Sequence, residues 1–217
     1  VIDIPKDTTD PAVTAPYQYP KSVSLRSYNP ATRGHPGQLR RAVDALLRAQ
    51  RPVIYAGGGV VHAGASPELR EFAEMFGIPV VTTLMGIGVV DTHAPLSMRM
   101  LGMHGTAFAN YAVQDADLVI ALGARFDDRV AGNPAKFAPR ARCIAQFDID
   151  PAEINKVKQV AWHHVGDLKD SLRTLVAQAR KLASRPDLSV WHAELAALKQ
   201  NHPMDFDRSS PLVQPYY

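Results

Sequence analysis

The chain has almost no cysteine, no long apolar run and little net charge, and each shortage removes a class of function. Cys143 is the only cysteine among the 217 residues, which excludes an internal disulfide framework and a multi-cysteine metal site. It lies in a strand-like run, Arg142-Cys143-Ile144-Ala145-Gln146-Phe147, where an inert buried thiol is expected rather than a nucleophile. No stretch approaches the ~20 apolar residues of a membrane-spanning helix, and no signal peptide opens the sequence. The net charge is +3, too small and too dispersed for a nucleic-acid footprint. Arg40-Arg41 and Arg180-Lys181 fall on helical patterns as solvated faces. There is no internal repeat and no low-complexity tract. What is present is a 46% hydrophobic composition, enough for one complete core plus attached segments. A soluble, intracellular protein is expected.

The order of elements is read from apolar periodicity and from breakers. Residues 1–35 are proline-punctuated (Pro5, Pro11, Pro16, Pro20 and Pro30) and read as a connector, although Val1-Ile2-Asp3-Ile4-Pro5 looks like the end of a buried strand. Gln38 to Gln50 is helical, with Leu39, Val43, Leu46 and Leu47 on one face. Strands are expected at 52–56, 78–83, 117–122 and 142–149, and a short one at 161–165. Helices are expected from Ser66-Pro67 (cap and first-turn proline) to Phe76, stopped by Gly77, and at 106–115 and 168–182, with a helical turn at 151–157. An amphipathic helix around Trp191 to Gln200 closes the order, and Pro203-Met204-Asp205 and 211–217 are loop-like. Strand and helix alternating at this spacing predict a doubly wound, mostly parallel α/β sheet with helices on both faces, Rossmann-like. The expected organisation is a connector at 1–35, a central α/β domain at 36–185 and a C-terminal helix with linker at 186–217. A chain that begins and ends in linkers reads as a middle domain of a longer protein.

Two runs carry the chemistry: Gly102-Met103-His104-Gly105-Thr106, and Gly123-Ala124-Arg125-Phe126-Asp127-Asp128-Arg129-Val130. The second follows the apolar strand 117–122, and an open α/β sheet places its ligand crevice at such strand ends. Glycine there admits a close backbone approach, arginine offers a fork for phosphate, and carboxylates accept from hydroxyls. A nucleotide-type ligand is one reading; a turn with a solvated charge cluster is the other. Gly57-Gly58-Gly59 after the first strand invites a dinucleotide fingerprint but departs from it. The position five residues after Gly57 is His62, and the second strand ends in Thr82-Thr83-Leu84-Met85 with no acid for a ribose hydroxyl. A flavin dinucleotide extended over several strand ends suits the scattered glycines better than a nicotinamide cofactor.

Catalytic and metal chemistry find no constellation. His163 and His164 are adjacent in a strand and point to opposite faces. His35, His62, His93, His192 and His202 show no metal-ligand spacing, while His104 between glycines is either backbone-bound or ligand-facing. Asp127-Asp128 is flanked by Arg125 and Arg129, so an ion-paired loop is expected there. Gly166-Asp167-Leu168 reads as a strand-end turn and helix cap. No serine or cysteine is accompanied by a base. No catalytic residue and no metal ligand is assigned.

The runs at 1–7, 57–59, 101–106 and 123–130, with Asp148-Ile149-Asp150-Pro151 through Ile154-Asn155-Lys156, resemble the thiamine-diphosphate enzyme family, and within it the acetohydroxyacid (acetolactate) synthase group. The resemblance covers nearly the whole chain and corresponds to a central domain: a six-stranded parallel sheet that binds FAD, which is largely structural in that group. It implies Gly57, Gly58, Gly59, Gly123, Ala124 and Arg125 near the ribityl-diphosphate. Thr83, Leu84, Met85, Leu101, Gly102, Met103 and His104 would line the flavin. Asp148, Ile149, Asn155, Gly166 and Asp167 would hold the adenosine end, and Asp127, Arg129 and Val130 complete the set. Met103, Asp128 and Arg129 would also border the substrate channel, where herbicidal inhibitors of the group bind.

The resemblance further implies a cytoplasmic bacterial enzyme that decarboxylates pyruvate and condenses it with a second 2-oxo acid, in branched-chain amino-acid synthesis. Thiamine diphosphate and Mg2+ would belong to other domains, so the chain alone is expected to be inactive. Implied partners are those domains, a homodimer or tetramer of catalytic subunits and a small regulatory subunit, with neither nucleic acid nor membrane. Alternatives are the central domain of another thiamine-diphosphate enzyme and an apo structural module.

Overall fold

In the computed structural model, residues 3–14, 16, 18–22, 32–205 and 207–212 are described. The chain divides into two compact units, 1–30 and 31–217. In the first, the described residues are exposed and carry a single turn of 3-10 helix, Lys6–Thr9, held by local bonds such as Thr8 Oγ1 to the Pro5 carbonyl at 2.7 Å. The strand-like opening is not found where it can be checked: Asp3 to Pro5 are irregular, and Ile4 is 66% exposed. Val1, Ile2, Pro30 and residues 213–217 lie outside the described residues.

The second unit is built on one sheet. Its strands are β1 (Pro52–Ala56), β2 (Val80–Thr82), β3 (Ser97–Met100), β4 (Leu118–Leu122), β5 (Cys143–Asp148) and β6 (Trp162–Val165). They lie in the order β3-β2-β1-β4-β5-β6, and every pairing is parallel. Strands β1 and β4 are apolar and buried throughout, as strands covered on both faces must be.

Side-chain alternation sorts them into two cores. Ile54, Ala56, Ile120, Leu122, Ala145 and Phe147 face one side, with α1 (Pro36–Leu46), α3 (Ser66–Phe76) and α6 (Leu168–Ala179) packed over them. Val53, Tyr55, Val119, Ala121 and Ile144 face the other, covered by α4 (Ala107–Asp115) and α7 (Ser189–Asn201). Each fully buried Leu or Phe in these layers, such as Leu69 or Phe72, stabilises the fold by roughly 1.5–3 kcal/mol.

Local features differ from the periodicity reading, among them the early end of α1, which leaves Leu47 37% exposed, and a short helix, α5 (Asp128–Ala131), in the loop after β4. Strand β3 was not visible in the sequence because a register shift breaks its pairing with β2 and Arg99 takes φ of 62°. The glycine triplet opens a short helix, α2 (Gly58–His62), rather than an open loop. Ser66 is the first residue of α3 and does not cap it, whereas Gly77 stops that helix in the left-handed conformation. Pro151–Glu153 is a single 3-10 turn, capped by Asp150.

The two adjacent histidines do face opposite ways, His163 exposed and His164 buried. Cys143 is half-buried and its thiol pKa is pushed up by desolvation. None of the helices in the described residues is long and apolar enough to cross a membrane.

Candidate functional site

Strand order reverses between β1 and β4, and the crevice of an open α/β sheet forms at that switch point. A groove of about 1030 Å3 lies there, over the C-terminal ends of β1, β2, β4 and β5. Its floor is set by backbone contact. The Gly57 amide donates to the Leu122 carbonyl at 2.9 Å and the Gly59 amide to the Gly123 carbonyl at 3.1 Å. A Cβ on Gly57 would stand 2.1 Å from the Gly123 oxygen. These glycines are therefore first a packing requirement, joining the turns after β1 and β4, and only secondarily a surface for a ligand.

The walls come from three loops. After β2, Thr83 accepts from the Gly86 amide at 3.1 Å and turns Leu84 and Met85 outward, 69% and 66% exposed. After β3, Asn110 of α4 clamps the backbone of Gly102 from both sides, at 2.8 and 3.0 Å. The Met103 amide donates to the Arg129 carbonyl at 2.8 Å, tying this loop to the one after β4. In the third loop the expected ion pairing is present only in part. Only Arg129 and Asp128 approach each other, at 4.0 Å and exposed. Arg125 is exposed and forms no ion pair among the described residues, and one oxygen of Asp127 is buried without a partner. The arginine is left free because the chain turns at Phe126, which points inward and separates the side chains on either side of it.

Three carboxylates, Asp148, Asp150 and Glu153, line the end of the groove above β5. Burial raises the Asp148 pKa, and the charges of Glu153 and Asp150 add to the rise, while the Asp150 and Ile149 amides partly offset it. The groove thus runs from an acidic end, past cationic groups, to an apolar end at Leu84, Met85, Met100 and Leu101. Among the described residues, no three His, Cys, Asp or Glu side chains are placed to share a metal ion.

The expected site residues divide. Gly57, Gly58, Gly59, Thr83, Leu84, Met85, Leu101, His104, Gly123, Ala124, Arg125, Asp127, Arg129, Val130 and Asp148 line the groove. Gly102 lies behind it, against the Arg129 carbonyl, and Met103 faces a second groove of about 880 Å3 that it shares with residues 202–205. Ile149 is exposed outside it. Asn155 sits at φ of 59° and accepts from the Val160 amide at 2.9 Å, closing its own loop. Gly166 donates to the Asp148 carbonyl at 3.0 Å, and Asp167 caps α6 through the Asp170 amide at 2.9 Å.

His62, Met100, Asp150 and Glu153 line the groove without having been singled out for it. His62 was read for metal spacing and as the position that breaks the dinucleotide fingerprint. Asp150 and Glu153 arrive through the turn at Pro151, whose Asp-Pro start was a usable signal.

Comparison with known proteins gives one consistent result. A family model described as "Thiamine pyrophosphate enzyme, central domain" matches residues 39–175. The acetolactate synthase large subunit of Haemophilus influenzae is 42% identical over 99% of this chain and 38% of its own length. The corresponding subunit of Corynebacterium glutamicum is 44% identical over 95% of this chain and 33% of its own. A probable acetolactate synthase large subunit of Methanocaldococcus jannaschii is 46% identical over 95% and 35%. The chain spans between about a third and two-fifths of the length of these relatives.

Proposed function

Because the chain belongs to the thiamine pyrophosphate enzyme central-domain family, we propose that its groove holds FAD as part of an acetolactate synthase catalytic subunit. The observation that carries this reading is the graded lining of the groove. Asp148, Asp150 and Glu153 suit the hydroxyls and amino group of an adenosine. Arg125, exposed and without an ion pair among the described residues, suits a diphosphate. Leu84, Met85, Met100 and Leu101 suit a flat apolar ring. A volume of about 1030 Å3 stands at the upper end of the roughly 300–1,000 Å3 of small-molecule sites, room for a dinucleotide.

Asp127 borders the groove, and one of its carboxylate oxygens is buried without a partner, an acceptor that the ligand-free fold leaves unsatisfied. Bound FAD would supply a rigid flavin wall here. The chain's own residues would do the rest: Arg125 orients the diphosphate, the three carboxylates orient the adenosine, and the β2 and β3 loops exclude water from the ring. Gly102, Met103, Ile149, Asn155, Gly166 and Asp167 would serve this site by shaping its loops. In the whole protein, thiamine diphosphate and Mg2+ would be held by other domains, and pyruvate would be joined to a second 2-oxo acid. A homo-oligomer with a small regulatory subunit is the proposed assembly, and residues 36–185 are proposed as the domain.

The experiment is a titration of the purified chain with FAD, read by thermal melting. A ligand that binds only the folded state raises the melting temperature with concentration. With the neighbouring walls absent, affinity in the micromolar range, about −8 kcal/mol, is the expected result. A melting temperature unchanged up to millimolar FAD contradicts the proposal. That outcome favours the structural-module reading, which the close Gly57–Gly123 packing supports on its own.

A further inference from the structure

Tyr55, on β1, is completely buried, yet its hydroxyl has no well-formed hydrogen bond. A buried hydroxyl in that state is costly, and phenylalanine at the same place would avoid the cost. Its surroundings point to what it serves. Its ring packs against Phe126 (centroids 5.4 Å apart, planes at 63°) and against Phe137 at 6.1 Å, and Phe126 meets Phe137 edge-on at 5.6 Å. Phe126 is 1% exposed and held at φ of 57°, a conformation that bulky residues avoid. The residues on either side of it, Arg125 and Asp127, are the ones that line the groove.

We infer that Tyr55 is a positioning residue for this wall: its ring pins the Phe126 turn, and its hydroxyl stands ready to donate to the Asp127 carboxylate when a ligand binds. Two buried polar atoms without partners, one able to donate and one only to accept, lie on either side of the same turn. The charges of Arg125 and Asp127 both act on the Tyr55 hydroxyl, whose pKa is raised chiefly by burial and further by Asp127. The Phe126 amide and Arg125 oppose that rise. Closing the groove over a ligand brings the donor and the acceptor together, so that binding satisfies both atoms at once. The inference rests on the cofactor reading above for the identity of the ligand, but not for the ordering of the loop.

The test uses Tyr55→Phe in the 217-residue chain, with FAD as the probe. The ring contacts survive and no well-formed bond is lost, so the melting temperature should stay within about 2 °C. The FAD Kd should rise about tenfold, the loss of one hydrogen bond to a carboxylate. Asp127→Asn should weaken binding by a similar factor, and the double variant by no more than about twofold beyond either single one. In ligand-free protein the Phe126 amide faces the Tyr55 hydroxyl, a weak contact that Tyr55→Phe removes, so amides of residues 125–130 should exchange faster in the variant while the rest of the sheet is unchanged. Equal Kd and equal exchange in the two proteins overturns the inference. If wild type binds no FAD but exchange at 125–130 still rises, the cofactor reading falls and the positioning role stands. If neither changes, both fall.

Discussion

The two ends of the sheet are built on opposite principles. At the N-terminal ends of the strands, polar groups are paired. Asp117 accepts from the amides of Gln50 and Arg51 at 2.8 and 2.9 Å. Arg51 forks onto Glu194 at 2.8 and 2.7 Å and lies over the Trp191 ring, and the Trp191 indole donates to the Pro52 carbonyl at 3.1 Å. At the C-terminal ends, Tyr55, Asp127 and Gln146 keep buried polar atoms without partners. There Phe126 is strained, and Leu84, Met85 and Met103 stand two-thirds exposed. One end spends its polar groups on holding the fold; the other leaves them available. A sheet with this asymmetry can lose function at one end without unfolding, and can lose stability at the other without changing what it binds.

The largest effect expected from breaking that division is at Trp191. The side chain is 1% exposed and ties α7 to β1. Trp191→Ala should cost about 3–5 kcal/mol of stability, read by chemical denaturation. At a temperature where the variant is folded, its FAD affinity should stay within about threefold of wild type. A large loss of affinity in the folded variant would mean that the two ends are coupled.

Arg125→Ala is the converse. The side chain is exposed and unpaired among the described residues, so stability should be unchanged. The FAD Kd should rise about ten- to a hundredfold, since a charge-assisted fork to phosphate is worth roughly 1.5–3 kcal/mol. Calorimetric titration reads it, and unchanged affinity removes Arg125 from the site.

How much of this was legible in the sequence follows from the same contrast. Strands β1 and β4 announce themselves as unbroken apolar runs, and α6 by its periodicity, because burial on one or both faces writes itself into residue type. Strand β3 does not, since its bulge at Arg99 spoils the alternation. At the groove, neighbours in the sequence are not neighbours in the site. Gly102 and Met103 belong to the same run as His104 but turn away from the groove it lines. Tyr55 reads as one more strand residue, because nothing in the sequence near it tells that the loop after β4 folds over its hydroxyl. Motifs fixed where the chain bends; they did not fix which side chains converge there.

The smallest effect concerns pH. His164 is buried near the end of β6, with Nε2 against the Ser171 hydroxyl at 2.9 Å and Nδ1 without a partner. The Ser171 hydroxyl itself donates to the Asp167 carbonyl, so it accepts from Nε2–H, and no group accepts from a proton on Nδ1 of the ring. Its pKa is lowered by burial, and further by the charges of His163 and His35, against a rise from Asp170. The neutral ring's contribution to stability is complete above the unfolded pKa of about 6.5 and is lost as pH falls below it, because the unfolded chain takes the proton first. Between pH 7 and 5 the wild type should therefore lose more stability than His164→Gln. Parallel stability curves over that range would exclude His164 as the cause.

Hydrogen exchange with and without FAD tests the division of the sheet most directly. Saturating FAD should slow exchange at 57–59, 83–86, 101–105, 123–131 and 148–153, all at the C-terminal ends of the strands. Residues 50–52, 115–118 and 189–198, at the opposite end, should exchange as before. Protection confined to that opposite end, or spread evenly over the sheet, would contradict the account.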